Sequence, residues 1–253
     1  MNQHFYIINH FRYIFLIIVL NSFYLSLVNA KPEDTEIWHP IPPIVDVPVI
    51  WGPPSDAIIL FNGAHMNNWQ HKDGSKSKWI KRDGQMIVRP GTGNLYTKQS
   101  FSSIQLHMEW KTPVVIDGEG QGRGNSGIFF QNRYELQILD SYKNITYSNG
   151  QAASIYKQYI PTVNASKKPG DWQYYDVIFI APIFDEDKNL TRQARMTIFH
   201  NGVLVHNNVI LQGTTVYDGQ PKYEYHPAEQ PLMIQDHNNP ISFRNIWIRK
   251  LEQ

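Results

Sequence analysis

The chain has 253 residues, 18% of them charged and 13% aromatic, and a formal net charge of +1. That balance suits a folded chain with a sizeable core, and it gives no electrostatic reason to expect a nucleic-acid or acidic partner. Cysteine is absent, which excludes disulfides, thiol catalysis, cysteine–zinc sites and a lipid anchor on cysteine, so a secreted form must hold together by packing alone.

Residues 1–30 read as a secretory signal. Arg12 supplies the positive charge, Tyr13 to Leu20 form a nearly continuous apolar run that Phe23 to Val28 continue, and Val28-Asn29-Ala30 offers a cleavage site before Lys31. The alternative is an uncleaved anchor. Asn21 and Ser22 interrupt the run, which is short for a span of about 20 residues. Cleavage is the favoured reading, with export to a periplasm or the outside and no stable membrane insertion afterwards. Residues 31–54 are proline-rich and read as extended chain, laid across the domain by anchors such as Trp38 and Trp51. The domain itself is residues 55–253.

Ala57 to Phe61 form the first strand, with a turn at Asn62-Gly63. Trp79 to Arg82 and Gln85 to Val88 flank Asp83-Gly84, a hairpin signal. Asn94 to Thr97 and Ser103 to Trp110 follow; in the latter Ile104, Leu106 and Met108 alternate with Gln105, His107 and Glu109, a one-sided strand. Gly118, Gly120, Gly122 and Gly124 stud the next loop. No helix follows them, so they fit the rim of a site rather than a phosphate cradle.

Asn125 to Phe130 and Tyr134 to Leu139 are strands joined by a turn at Gln131 to Arg133. Tyr134, Leu136 and Ile138 point one way; Arg133, Glu135 and Gln137 form a polar row on the other face. Asp140 has the apolar parity and joins that row only if the strand end re-aims it. The row reads either as a solvated sheet face or as the floor of a groove where a base, an amide and a guanidinium converge. Ser148 to Tyr156 is a long loop of functional aspect. Trp172 to Ala181, the hairpin around Asn201-Gly202, Pro231 to Gln235, and Ile241 to Leu251 complete the strands. The fold class is all-β, a sandwich of two antiparallel sheets.

Glu135 and Asp140 could divide acid and base roles. Alternatively Asp140 caps the turn before Tyr142 and Glu135 pairs with Arg133, which would lower its pKa and suit it as a base. His237 lies in a turn between strands, where it either projects into a cleft or only bonds the turn. Glu135, Asp140 and His237 could together hold a divalent metal ion. Sequons occur at Asn144, Asn164 and Asn189.

Leu60-Phe61-Asn62-Gly63 with Trp69, Gly124 to Phe129, Tyr134 to Ser141, Ala153-Ser154-Ile155-Tyr156, Asp171 to Tyr175, His200-Asn201-Gly202, and Gln235-Asp236-His237 through Pro240 to Phe243–Arg249 stand in this order in the chain. Together they resemble the 3-keto-disaccharide hydrolase domain family. The resemblance implies a concanavalin-like jelly-roll sandwich with its site on the concave sheet, export, and a carbohydrate substrate, in particular glycosides oxidised to a ketone at C3. Such a ketone acidifies the C2 proton, so a base can remove it and expel the C1 substituent, after which water adds. In that chemistry Glu135 is the base, and Gln137, Arg133 and Asn125 orient the sugar. Asp140 and His237 serve as acid or metal ligand, and Trp110, Tyr142 and Tyr156 stack on a sugar face. The rival readings are a non-catalytic carbohydrate-binding module on the same fold and an ordinary retaining endoglycosidase, which needs two carboxylates about 5 Å apart.

Overall fold

Alternation decides which side of each strand goes inside. In β6 (Ile104–Lys111), Ile104, Leu106, Met108 and Trp110 are buried while Gln105, Glu109 and Lys111 are half-exposed on the opposite face. In β8 (Tyr134–Leu139), Tyr134, Leu136 and Ile138 enter the core, as their spacing requires. The computed structural model describes residues 52–251 and, before them, Glu36, Ile41, Ile44 and Asp46. The signal segment and most of the proline-rich segment therefore lie outside the described residues. The strands all belong to the second of two units, residues 45–253.

Eight strands form the larger sheet. They are β1 (Ile58–Phe61), β3 (Ile80–Arg82), β4 (Gln85–Ile87), β6, β9 (Gln173–Ile180), β12 (Arg195–His200), β13 (Val203–Ile210) and β15 (Ser242–Lys250). Their order is β13-β12-β9-β6-β15-β4-β3, with β1 also paired to β15. The second sheet runs β2 (Trp69–Gln70), β5 (Leu95–Phe101), β14 (Gln230–Ile234), β7 (Asn125–Phe130) and β8. Pairing is antiparallel throughout both. A short hairpin of β10 (Ile183–Phe184) and β11 (Leu190–Arg192) stands apart. These two strands and β2 are too short to leave a clear period in the sequence.

The sheets enclose one apolar core. Phe179 of β9 meets Phe130 of β7 and Tyr134 of β8 at ring-centroid distances of 5.0 and 5.7 Å. Each such buried aromatic contributes about 2–3 kcal/mol from area alone. Tyr175 crosses between the sheets and donates its hydroxyl to the Gln137 carbonyl at 2.8 Å. At the hairpins, Asp83-Gly84 and Asn201-Gly202 both have positive φ (50° and 70°, 52° and 81°), the conformation that a two-residue turn between twisted strands demands.

Two features position the site. The turn from β7 to β8 is held by Gln131, whose buried amide donates to the carbonyls of Phe101 and Ala228. The outer edge of β8 is covered by residues 153–156. Ala153 N–H donates to Gln137 O, Gln137 N–H to Ser154 O and Tyr156 N–H to Glu135 O, at 3.0–3.1 Å. Among the described residues the helical pieces are two 3-10 turns, Gly120–Gly122 and Ser148–Gly150, and no helix is long and apolar enough to cross a membrane.

Candidate active site

On the outward face of the second sheet, β7 presents Asn125, Gly127 and Phe129, and β8 presents Glu135 and Gln137. Phe129 pairs with Glu135, and Gly127 with Gln137. Asn125, Phe129, Glu135 and Gln137 line the floor of a cavity of about 530 Å³. Its walls come from elsewhere in the chain: Gln121 of the glycine-rich loop, Tyr147 and Tyr156, Thr215 and Tyr217, and Gln235 and His237 after β14. Two of the three residues of the polar row, Glu135 and Gln137, thus lie on a groove floor.

Glu135 is the single carboxylate in that lining. Its residue is 5% exposed, and among the described residues its carboxyl group meets no hydrogen-bond or ion-pair partner. Burial with nothing to compensate it pushes the Glu135 pKa from 4.5 up to about 8. At neutral pH the carboxyl group is then mostly protonated, yet it can lose its proton within a unit of that range. Gly127 makes the space for it. A Cβ at position 127 would lie 2.5 Å from Glu135 Oε1 and 3.0 Å from the Phe129 ring, so any side chain there displaces the carboxyl group.

Beside Glu135 stands a chain of amides. Gln137 Nε2 donates to Gln121 Oε1 at 3.1 Å and to Asn125 Oδ1 at 3.2 Å, and Asn125 Nδ2 donates to the Gln121 carbonyl at 2.8 Å. The loop bearing Gln121 is fastened from below. Arg123 forms a buried ion pair with Asp140 and donates to the Tyr142 carbonyl. Asn144 accepts from Gly120 N–H and donates to the carbonyls of Gly120 and Asp140. The rim is aromatic. Tyr147 and Tyr156 join their hydroxyls at 2.6 Å, and burial followed by that hydrogen bond raises the Tyr156 pKa.

The cavity thus gathers Glu135, Gln137, Asn125, His237 and Tyr156 of the residues expected from sequence. The others are corrected. Arg133 belongs to the turn before β8, directly after Gln131 and Asn132 with their positive φ (50° and 55°). It forms no ion pair with Glu135 among the described residues, and it does not line the cavity. The Glu135 pKa is accordingly raised, where pairing would have lowered it. Trp110 is fully buried and packs on His200 and Tyr175 at 5.8 and 5.3 Å, so it offers no face to a sugar. Tyr142 lies outside the cavity, with the Lys143 ammonium 5.7 Å over its ring. Asp140 is turned to Arg123 and does not line the cavity with Glu135 and His237. Among the described residues no three His, Cys, Asp or Glu side chains gather to hold an ion. Gln121, Phe129, Tyr147, Thr215, Tyr217 and Gln235 escape the sequence reading. Phe129 alone has a local signal, its parity opposite Glu135.

The profile of the 3-keto-alpha-glucoside-1,2-lyase-like domain matches residues 56–249. A solved candidate glycosyl hydrolase of Parabacteroides distasonis ATCC 8503 shares 43% identity at a TM-score of 0.83, covering 87% of this chain and 97% of its own. Two further candidate glycosyl hydrolases of that organism share the fold. One has 18% identity and a TM-score of 0.58, covering 78% of this chain and 94% of its own. The other has 20% identity and a TM-score of 0.54, covering 77% and 99%. No curated protein matches the chain. With the profile spanning nearly all of the described domain, the chain belongs to the 3-keto-alpha-glucoside-1,2-lyase-like family.

Proposed function

We propose that the protein is an exported enzyme that cleaves glycosides carrying a ketone at C3, by elimination across C1–C2 followed by hydration. The observation that carries this reading is Glu135: one buried carboxyl group with no bonded partner among the described residues, poised near pH 8 and set on the floor of a cavity walled by amides and aromatic rings. A retaining glycosidase needs two carboxylates about 5 Å apart, and this lining supplies one. Elimination beside a ketone needs only one base. The family match and the sequence of residues 1–30 support the substrate class and the export.

In this mechanism the ionised Glu135 removes the C2 proton, and the electron pair of that bond enters the enolate of the C3 ketone. The enolate collapses to a C1=C2 double bond as the C1–O bond breaks, and His237 at the rim, or water, delivers a proton to the departing oxygen. Water then adds across the double bond: its hydroxyl bonds C1 while its proton restores the acid that served the leaving group, and Glu135 returns its own proton to C2. A pKa near the working pH serves both transfers. Gln137, Asn125 and Gln121 are placed to orient the sugar hydroxyls and the ketone oxygen.

The test is release of the leaving group from a 3-keto-glucoside and from its unoxidised parent, with wild type and Glu135→Gln. Turnover of the keto compound alone, reduced about 10²–10⁴-fold in the variant, is expected. Turnover of the parent would point to ordinary glycosidase chemistry. Binding of both sugars with no turnover would point to a carbohydrate-binding module.

A further inference from the structure

A second cavity, of about 460 Å³, lies against the one that holds Glu135. Tyr147 and Tyr217 belong to the lining of both, so the two spaces share a wall. That wall is fixed by Lys157. Its Nζ sits 4.0 Å from the centroid of the Tyr217 ring and donates to the Tyr217 carbonyl. The same ammonium lies 5.8 Å from the Tyr156 ring and 5.9 Å from the Tyr147 ring. A cation held among three π faces orders side chains that would otherwise wander at an exposed rim.

The chemistry of the second lining is mixed in a particular way. Asn149 and Gln220 carry amides, which both donate and accept. Val216 and Pro221 add apolar surface. Lys157 and Asp218 contribute one charge of each sign, so the site favours neither anions nor cations. Amides to meet hydroxyls, an aromatic wall and apolar patches to meet the C–H face of a ring, and no net charge together describe a neutral sugar.

We propose that this cavity is the subsite for the leaving group, that it takes a neutral sugar, and that Asn149 and Gln220 set the preference for it over a small aglycone. The inference rests on the reaction proposed at Glu135, since it assigns the departing half of that substrate. With the oxidised ring over Glu135, the C1 substituent passes the shared tyrosine wall and enters the second cavity.

The experiment compares methyl 3-keto-α-glucoside with the 3-keto-disaccharide whose leaving group is glucose, using wild type and the Asn149→Ala/Gln220→Ala double variant. The KM for the disaccharide should rise about tenfold, as loss of two hydrogen bonds would give, and the KM for the methyl glycoside should move less than twofold. Gln220→Trp, which fills the cavity, should act in the same direction, and a melting curve for each variant controls for folding. Equal changes for both substrates, or none for either, overturn the subsite. If wild type turns over neither compound, the reaction at Glu135 fails, and titration calorimetry with unoxidised trehalose and glucose still decides the subsite. A tenfold preference for trehalose that the double variant loses upholds it. Equal affinity for the two sugars in wild type, or none for either, rejects it.

Discussion

Replacing Glu135 by Gln should make the protein more stable at alkaline pH, and the gain can be worked from the geometry. A carboxyl group whose folded pKa is about 8 against an ordinary 4.5 contributes stability that is fully present below about pH 4.5 and lost as pH rises through 8. A pKa that differs by one between the folded and unfolded chain corresponds to about 1.4 kcal/mol. Between about pH 5 and pH 9 the wild type therefore loses about 4 kcal/mol through this group alone, and a neutral amide of similar shape loses none. For a domain of this size about 1 kcal/mol moves Tm by roughly 2–4 °C. The difference Tm(Glu135→Gln) minus Tm(wild type) should then widen by roughly 8–15 °C across that range. Every other titration, His107 included, cancels in the difference. The assay is differential scanning fluorimetry in a constant-ionic-strength buffer series. A difference that stays flat with pH would show that Glu135 ionises normally, and the proposed base would lose its physical basis.

The same raised pKa predicts that kcat/KM on a 3-keto-glucoside climbs about tenfold per pH unit below about 8 and then levels off, because only the ionised form accepts the C2 proton; a profile already flat from pH 5 would contradict this. Gly127→Ala should cost about 10²-fold in kcat with little change in Tm, since its Cβ collides with Glu135 Oε1 at 2.5 Å; an unchanged kcat would mean the carboxyl position does not matter. Asp140→Asn leaves buried Arg123 without its counter-ion, so it should destabilise by about 3–5 kcal/mol and raise KM as Gln121 loses its footing, both read from melting curves and steady-state kinetics. On the outer face of the larger sheet, His107 lies between Tyr174 and Trp247, with Nδ1 2.6 Å from Asp176 and Nε2 3.9 Å from Glu109. Burial would lower the His107 pKa, but Asp176 and Glu109 outweigh it and raise it to about 9. That stabilisation is fully present below about pH 6.5 and lost through 9, so the Tm deficit of His107→Gln should shrink as pH rises from about 6.5 to 9, and a constant deficit would refute the pairing.

Period-two alternation is a local property, and what depends on it can be read from the sequence: the strands, the inward Tyr134, Leu136 and Ile138, and the outward Glu135 and Gln137. The jelly-roll sandwich and the family come from several such stretches in order. What depends on distant chain meeting chain cannot be read. Thr215 and Tyr217 come to Glu135 across some 80 residues of sequence, and loops leave no period to follow. Asp140 reads as an acid because its counter-ion, Arg123, sits in a glycine-rich loop that carries no pairing signal. Trp110 has the chemistry to stack on a sugar, although its parity, shared with Met108, already places it inside. Arg133 shows that alternation counted along a strand does not extend into the turn before it.

The strand that carries Glu135 is bonded along both its margins, to β7 on one side and to residues 153–156 on the other. Main-chain amides so held open only with the larger unit they belong to, whereas loop amides open singly. Proton–deuterium exchange should therefore separate a stationary reactive centre from replaceable walls. The stretches that bear Gln121, Tyr147 and Tyr217 can change length and content without moving the carboxyl group, so descent from one ancestor can retain the reaction while trading one glycoside for another.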